Sequence, residues 1–192
     1  VAKRPIQDMD AYREHLKTFV YASGTMMKPI VHAAKKAAKK RVAYAEGEEE
    51  RILRAAQIVV DERIARPTLI GRPAIIAQRI EKFGLRMKEG ADYDVVNVEH
   101  DERYRDFWQS YHRMTERKGI TAPIAKIEMR RRLTLIGSML LHKGEVDGLI
   151  CGTWHNTHLH LNYIDQVIGK KPDATTYACM NGLMLPDRQV FL

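Results

Sequence analysis

Three histidines crowd the segment His155-Asn156-Thr157-His158-Leu159-His160, and far upstream Glu46-Gly47-Glu48-Glu49-Glu50 gathers four carboxylates. Imidazoles at close spacing could ligate a metal, and paired carboxylates could do acid–base work. On a helix His155 and His158 share a face without His160; on a strand His158 and His160 share one without His155. No regular element aims all three together and the nearest carboxylate is Asp165, so the reading is packed or interfacial histidines and no metal. The acidic cluster lies at the start of a predicted helix with Arg51 and Arg54 one turn on, an arrangement that stabilises helices without any chemistry. Lys126, Arg130, Arg131 and Arg132 form another dense group. Glu128 interrupts it, its cations fall on several helix faces, and no aromatics are interleaved, so no nucleic-acid partner is expected.

A sharper signal is Gly144-Glu-Val-Asp-Gly-Leu-Ile-Cys-Gly-Thr-Trp-His155. It reads as a helix-ending glycine, an acidic turn, a short strand over 147–151 and a glycine loop. In open parallel sheets ligands collect beyond the carboxyl ends of the strands, which makes Gly152, Thr153, Trp154 and His155 the place to look for function. Trp154 is either core packing or a flat apolar surface for a ligand or partner. Phe107, Trp108 and Tyr111, at helical spacing, are core or contact residues.

The surrounding elements alternate. The pattern predicts strands over 41–45, 67–71 and 93–98, and helices from the Glu46–Glu50 cluster through Val60, from Arg72-Pro73 to about Phe83, over 101–118 and over 122–143. After the glycine loop come a helix over 156–168 and two strands, Thr175–Leu185 and Arg188–Leu192, about a Pro186-Asp187 turn. Strands joined by helices imply parallel pairing through right-handed crossovers. The expected fold is α/β, a layered, mostly parallel sheet with flanking helices. Residues 1–40 differ: helices near 8–20 and 26–40, broken at Ser23-Gly24-Thr25, have little core of their own and read as a helical linker. The sequence stops inside a strand, so the expectation is a fragment of something longer.

Composition bounds the class. With 45% hydrophobic and 29% charged residues, and no apolar run near the roughly 20 residues of a membrane span, a globular, cytoplasmic protein with no membrane partner is expected. Cys151 and Cys179 fall on predicted buried strands without metal-type spacing and are expected to be packed free thiols. A net charge of +8 favours phosphate-bearing partners. The densest basic run, Lys35–Arg41, is read as a helix end complementing its dipole.

Five motifs then keep a recognisable order: Glu46–Leu53 after a strand, Leu69-Ile70-Gly71, Lys118-Gly119-Ile120-Thr121, Gly144–Gly148 and Gly152-x-x-His155. Together they resemble the amino-terminal half of the phosphate acetyltransferase family over about residues 40–192. Arg4-Pro5-Ile6-Gln7-Asp8 and Tyr21–Pro29 resemble the segment joining a malic enzyme region to such a domain, so the whole is similar to bacterial multidomain NADP-dependent malic enzymes. The resemblance implies a helical linker over 1–40 and a partial phosphate acetyltransferase-like domain over 41–192. It implies a parent that oxidatively decarboxylates malate to pyruvate, with NADP and a divalent metal, Mg or Mn, in its catalytic domain. Implied partners of the module are that catalytic domain and further copies of the chain.

The same resemblance implies acetyl-CoA as an allosteric inhibitor, held by Gly152, Thr153, Trp154, His155, Asn156, Thr157 and Asn162. The family's catalytic serine, arginine and aspartate belong to a half outside this sequence, so no catalytic residue is assigned. Two family arginines fall on Asn162 and Thr115, which supply neither the charge nor the fork that grips phosphate. The expectation is therefore a binding module without transferase chemistry. Its alternatives are an active phosphate acetyltransferase, exchanging acetyl between CoA and phosphate, and a ligand-free oligomerisation module.

Overall fold

A four-stranded sheet carries the molecule's main unit, residues 38–174, in a computed structural model that describes residues 8–10, 12, 27, 29–185 and 188–192. The strands are β1 (Lys40–Tyr44), β2 (Ala65–Gly71), β3 (Asp94–Asn97) and β4 (Gly148–Ile150), ordered β3-β2-β1-β4 and parallel throughout. Tyr44 lies beside Leu69 on one side and Ile150 on the other, so these strands run out at one edge. The parallel α/β layering expected from the alternation is what the structure shows.

Helices cover both faces, and strand residues alternate between them. Ala43, Ile70 and Val96 pack with α3 (Tyr104–Thr115), α4 (Ala122–Arg131), α5 (Leu133–His142) and α6 (Thr157–Val167). Tyr44 and Leu69 pack on the opposite side with Leu53 of α1 (Glu50–Asp61) and Ile76 of α2 (Pro73–Lys82). Phe107 and Tyr111 are buried and Trp108 packs against the same core, as their spacing predicted. Local chemistry sets the helix ends: Glu49 caps α1 by accepting from Arg51 N and Ile52 N, and Asn156 caps α6 by accepting from Leu159 N at 2.9 Å.

Several expected boundaries are corrected. The helix expected over 101–118 is α3 followed by one 3-10 turn, Glu116–Lys118, closed by Gly119 with φ 90°. The single helix expected over 122–143 is two, because Arg132 is extended at φ −107° and ψ 93°. Every residue of α5 from Thr134 to Leu140 is buried, so it must turn to lie on the sheet. The helix expected over 26–40 ends at residue 36. Lys40 and Arg41 instead open β1, where both pair with Asp147 and Arg41 N donates to that carboxylate at 2.8 Å.

Outside residues 38–174 the structure describes helical residues 29–36 and a hairpin of β5 (Gly182–Met184) with β6 (Gln189–Phe191). The strand expected from Thr175 is thus much shorter, since a partner of five residues can ladder with few more. Cys179 is exposed and lies off any strand, and Cys151 is half-buried just past β4; both are free thiols. Most of the predicted helix near 8–20 and residues 21–26 lie outside the described residues. Among the described residues no helix is long and apolar enough to cross a membrane.

Candidate functional site

The loops that leave the carboxyl ends of the strands, together with the α4–α5 junction, enclose a cavity of about 290 Å³. Glu46 and Glu48 come from behind β1, Arg72 from behind β2, Val98 from behind β3, and Trp154 and His155 from behind β4. Arg131, Arg132, Leu133 and Thr134 close one side, and Leu159, His160 and Tyr163 of α6 another. A cavity at the strand ends is where a parallel sheet places its ligands.

The acidic cluster divides by position. Glu49 and Glu50 serve the helix start, Glu50 pairing with Arg54 one turn on. Glu46 and Glu48 precede the helix and turn toward the cavity instead, which corrects the reading of all four as helix-start charges. The Glu48 carboxylate accepts from Arg72 N at 2.8 Å, Nε at 2.9 Å and Nη2 at 2.8 Å, while Arg79 donates to its backbone carbonyl. Hydrogen bonds from Arg72 hold the Glu48 carboxyl below its ordinary pKa. Glu46 is buried, and its Oε1 accepts from Gly152 N at 3.2 Å.

His160 fixes the opposite wall. Its Nδ1 lies 2.7 Å from Thr134 Oγ1 and its Nε2 lies 2.5 Å from the Trp154 carbonyl. A carbonyl can only accept, so Nε2 carries a proton and donates to it, while Nδ1 and the Thr134 hydroxyl share the second hydrogen bond. With both nitrogens engaged, His160 is a structural pin for the β4–α6 loop. His155 stands in the left-handed region at φ 67°, its ring centroid 6.4 Å from that of His160, and His158 is exposed on α6. Among the described residues no three His, Cys, Asp or Glu side chains converge as a metal cage. The Cys151 thiol lies beside Thr134 and Glu46, and burial followed by the Glu46 charge pushes its pKa up. Tyr163 donates to Glu128 at 3.1 Å; burial, then that carboxylate, raises its pKa.

The sequence profile of the phosphate acetyl/butaryl transferase family matches residues 25–192. The chain belongs to that family. It is 45% identical over 184 residues to an NAD-dependent malic enzyme of Rhizobium meliloti, covering 96% of this chain and 24% of that protein. It is 42% identical over all 192 residues to an NADP-dependent malic enzyme of Salmonella typhimurium, 25% of whose length it covers. The chain thus spans about a quarter of these relatives. In fold it is similar to the EutD phosphotransacetylase from Staphylococcus aureus, with a TM-score of 0.72, 21% identity, and coverage of 85% of this chain and 48% of that one.

Within this phosphate acetyl/butaryl transferase fold, the seven residues singled out from the sequence separate. Trp154 and His155 line the cavity, and Trp154, 38% exposed, presents a surface there rather than filling core. Gly152 touches it through Glu46; Thr153 is half-buried within the loop. Asn156 and Thr157 form the start of α6, and Asn162 is exposed, accepting from Gln166 at 3.3 Å. Thr115 is buried, its hydroxyl donating to the Tyr111 carbonyl at 2.7 Å, so it is core. The strand-end rule could have found Arg72 and Val98, each the first residue past its strand. No sequence signal marked Leu133 and Thr134, because the break that turns them inward carries neither glycine nor proline.

Proposed function

We propose that this chain is the regulatory phosphate acetyltransferase-like module of a malic enzyme and that its cavity binds acetyl-CoA as an allosteric inhibitor. One observation carries the reading: the cavity joins an apolar wall of Val98, Leu133, Leu159, Trp154 and Tyr163 to a basic rim of Arg131 and Arg132. An acyl-thioester arm suits the first and a pyrophosphate the second. The full-length similarity to segments of malic enzymes supports the parentage. The parent would oxidatively decarboxylate malate to pyruvate with a nicotinamide cofactor and a divalent metal held elsewhere. Its partners here would be that catalytic domain and further copies of the chain. NAD- and NADP-dependent enzymes are about equally similar over this segment, so the choice of nicotinamide belongs to other parts of the parent.

The positions of the two family arginines, Asn162 exposed on α6 and Thr115 buried in the core, support binding without acetyl transfer. The test is malate-dependent NAD(P)H formation by the intact protein as acetyl-CoA is titrated from zero, with acetyl phosphate assayed in parallel with added phosphate. Saturable inhibition without acetyl phosphate is the expected result. A flat response with acetyl phosphate formed would make the module a working transferase; a flat response with neither product nor binding would leave assembly as its role.

A further inference from the structure

Helix α6, one wall of the cavity, runs between two glycines in the left-handed region. Gly152 precedes it at φ 119° and Gly169 follows it at φ 77°. A Cβ would meet nothing within 4 Å at the first and only the Asp165 carbonyl, at 3.9 Å, at the second. Glycine adopts such angles at no steric cost, so both ends of the helix can turn without straining a side chain. Apolar contact with the core comes from Leu159, Val167 and the Tyr163 ring. The rest of the attachment is polar: of the buried residues His160, Tyr163 and Val167, the first two end in groups that hydrogen-bond to other elements. By contrast, α5 lies on the sheet with every residue from Thr134 to Leu140 buried.

The polar contacts converge on one carboxylate. Glu128 of α4 is half-buried; its Oε1 accepts from Tyr163 at 3.1 Å and its Oε2 from Tyr111 of α3 at 2.8 Å. Tyr111 is fully buried, and its hydroxyl also stands 2.7 Å from Gln166 Oε1 of α6, so its single proton is shared between two acceptors. Arg132, at the helix break, hydrogen-bonds to the Tyr163 hydroxyl as well. One glutamate thus ties α6 to α3 and α4, and Tyr163 brings that tie to the cavity, which it lines beside Arg132 and His160. We infer that α6 is a hinged wall and that Glu128 is its latch: the cavity widens when Tyr163 and Gln166 part from the Glu128–Tyr111 pair and the helix turns on Gly152 and Gly169. Hydroxyl, amide and carboxylate groups exchange their partners for water as the wall lifts, which keeps the opening local. The device belongs to the empty chain and goes beyond the regulatory reading, so either can fail without the other.

The experiment is hydrogen–deuterium exchange of the intact protein without ligand, read by mass on peptides covering α6, Thr157–Val167, and for comparison α1, Glu50–Asp61. Glu128→Ala deletes both tyrosine contacts and is expected to speed exchange in α6 about tenfold or more while α1 stays within about twofold, because local opening answers to local contacts. Glu128→Gln is the rescue. A glutamine accepts from Tyr163 through its oxygen and donates to Tyr111 through its nitrogen, leaving the Tyr111 proton wholly to Gln166, so α6 exchange should return to within about threefold of the parent. Unchanged α6 exchange in Glu128→Ala overturns the latch. Acceleration equal in α1 and α6 also overturns it, since Glu128 would then serve overall stability alone, and Glu128→Gln as fast as Glu128→Ala overturns the hydrogen-bonded form of the tie. Should Glu128→Ala lose its thermal unfolding transition, Tyr163→Phe, which keeps the ring and deletes the hydroxyl, takes its place: faster exchange confined to α6 supports the latch, and unchanged or uniformly faster exchange overturns it.

Discussion

Glu48 and Arg72 illustrate how one residue pair shapes the cavity before any ligand arrives. The fork from Arg72 lowers the Glu48 pKa and leaves that guanidinium spent, Arg132 is engaged by Tyr163, and Arg131 lies exposed on the same rim. The sign of the linkage follows: a carboxyl depressed in the folded state contributes stability that is present above its unfolded pKa and is lost as pH falls through the folded value. Replacing Arg72→Met should therefore lower stability at neutral pH, by a modest amount because the arginine is half-exposed. The gap from the parent should close as pH falls below the ordinary glutamate value of 4.5. Urea unfolding at a series of pH values measures it, and a gap that persists unchanged into strong acid would mean Arg72 acts by packing rather than by charge.

At the scale of elements, the turn between β1 and α1 must pass hard against β2. A Cβ on Gly47 would lie 2.8 Å from both Ile70 N and Ile70 O, backbone atoms that cannot give way, and Gly47 N donates to that carbonyl at 3.1 Å. Gly47→Ala should cost about 1–3 kcal/mol. Gly148→Ala, whose Cβ would meet nothing nearer than Val42 Cγ2 at 3.9 Å, should stay within about 0.5 kcal/mol in the same thermal and urea melts. The strands and most helices were legible because burial on both sheet faces leaves apolar runs bounded by glycine, proline and acidic caps, as around Pro73 and Gly144. The break at Arg132 was not, because apolar residues continue on both sides and the turn is forced by where α5 must pack. Of the site, the β4 loop was legible from the strand-end rule. The Glu48–Arg72 fork and the Thr134–His160 contact were not, since their partners are 24 and 26 residues apart and meet through sheet order and the unseen break.

For the whole molecule, the proposed regulation carries a thermodynamic obligation that no local contact can evade. If acetyl-CoA in this cavity weakens malate binding in a distant catalytic domain by some factor, malate must weaken acetyl-CoA by the same factor, because both bias one equilibrium. Such couplings are typically about 1–3 kcal/mol, or roughly 5- to 150-fold. Calorimetric titration of the intact protein with acetyl-CoA, alone and with saturating malate under non-turnover conditions, should give dissociation constants differing by that factor. The factor measured in the reverse titration, malate with and without acetyl-CoA, should match it. The chain's charge of +8 adds a second signature. Acetyl-CoA affinity should fall as ionic strength rises and screens the exposed Arg131, while the coupling factor, a ratio of two affinities measured at the same salt, should change far less. Inhibition of turnover with no change in either affinity would mean that acetyl-CoA acts on a kinetic step and not on malate binding, because reciprocity governs binding free energies and not kcat.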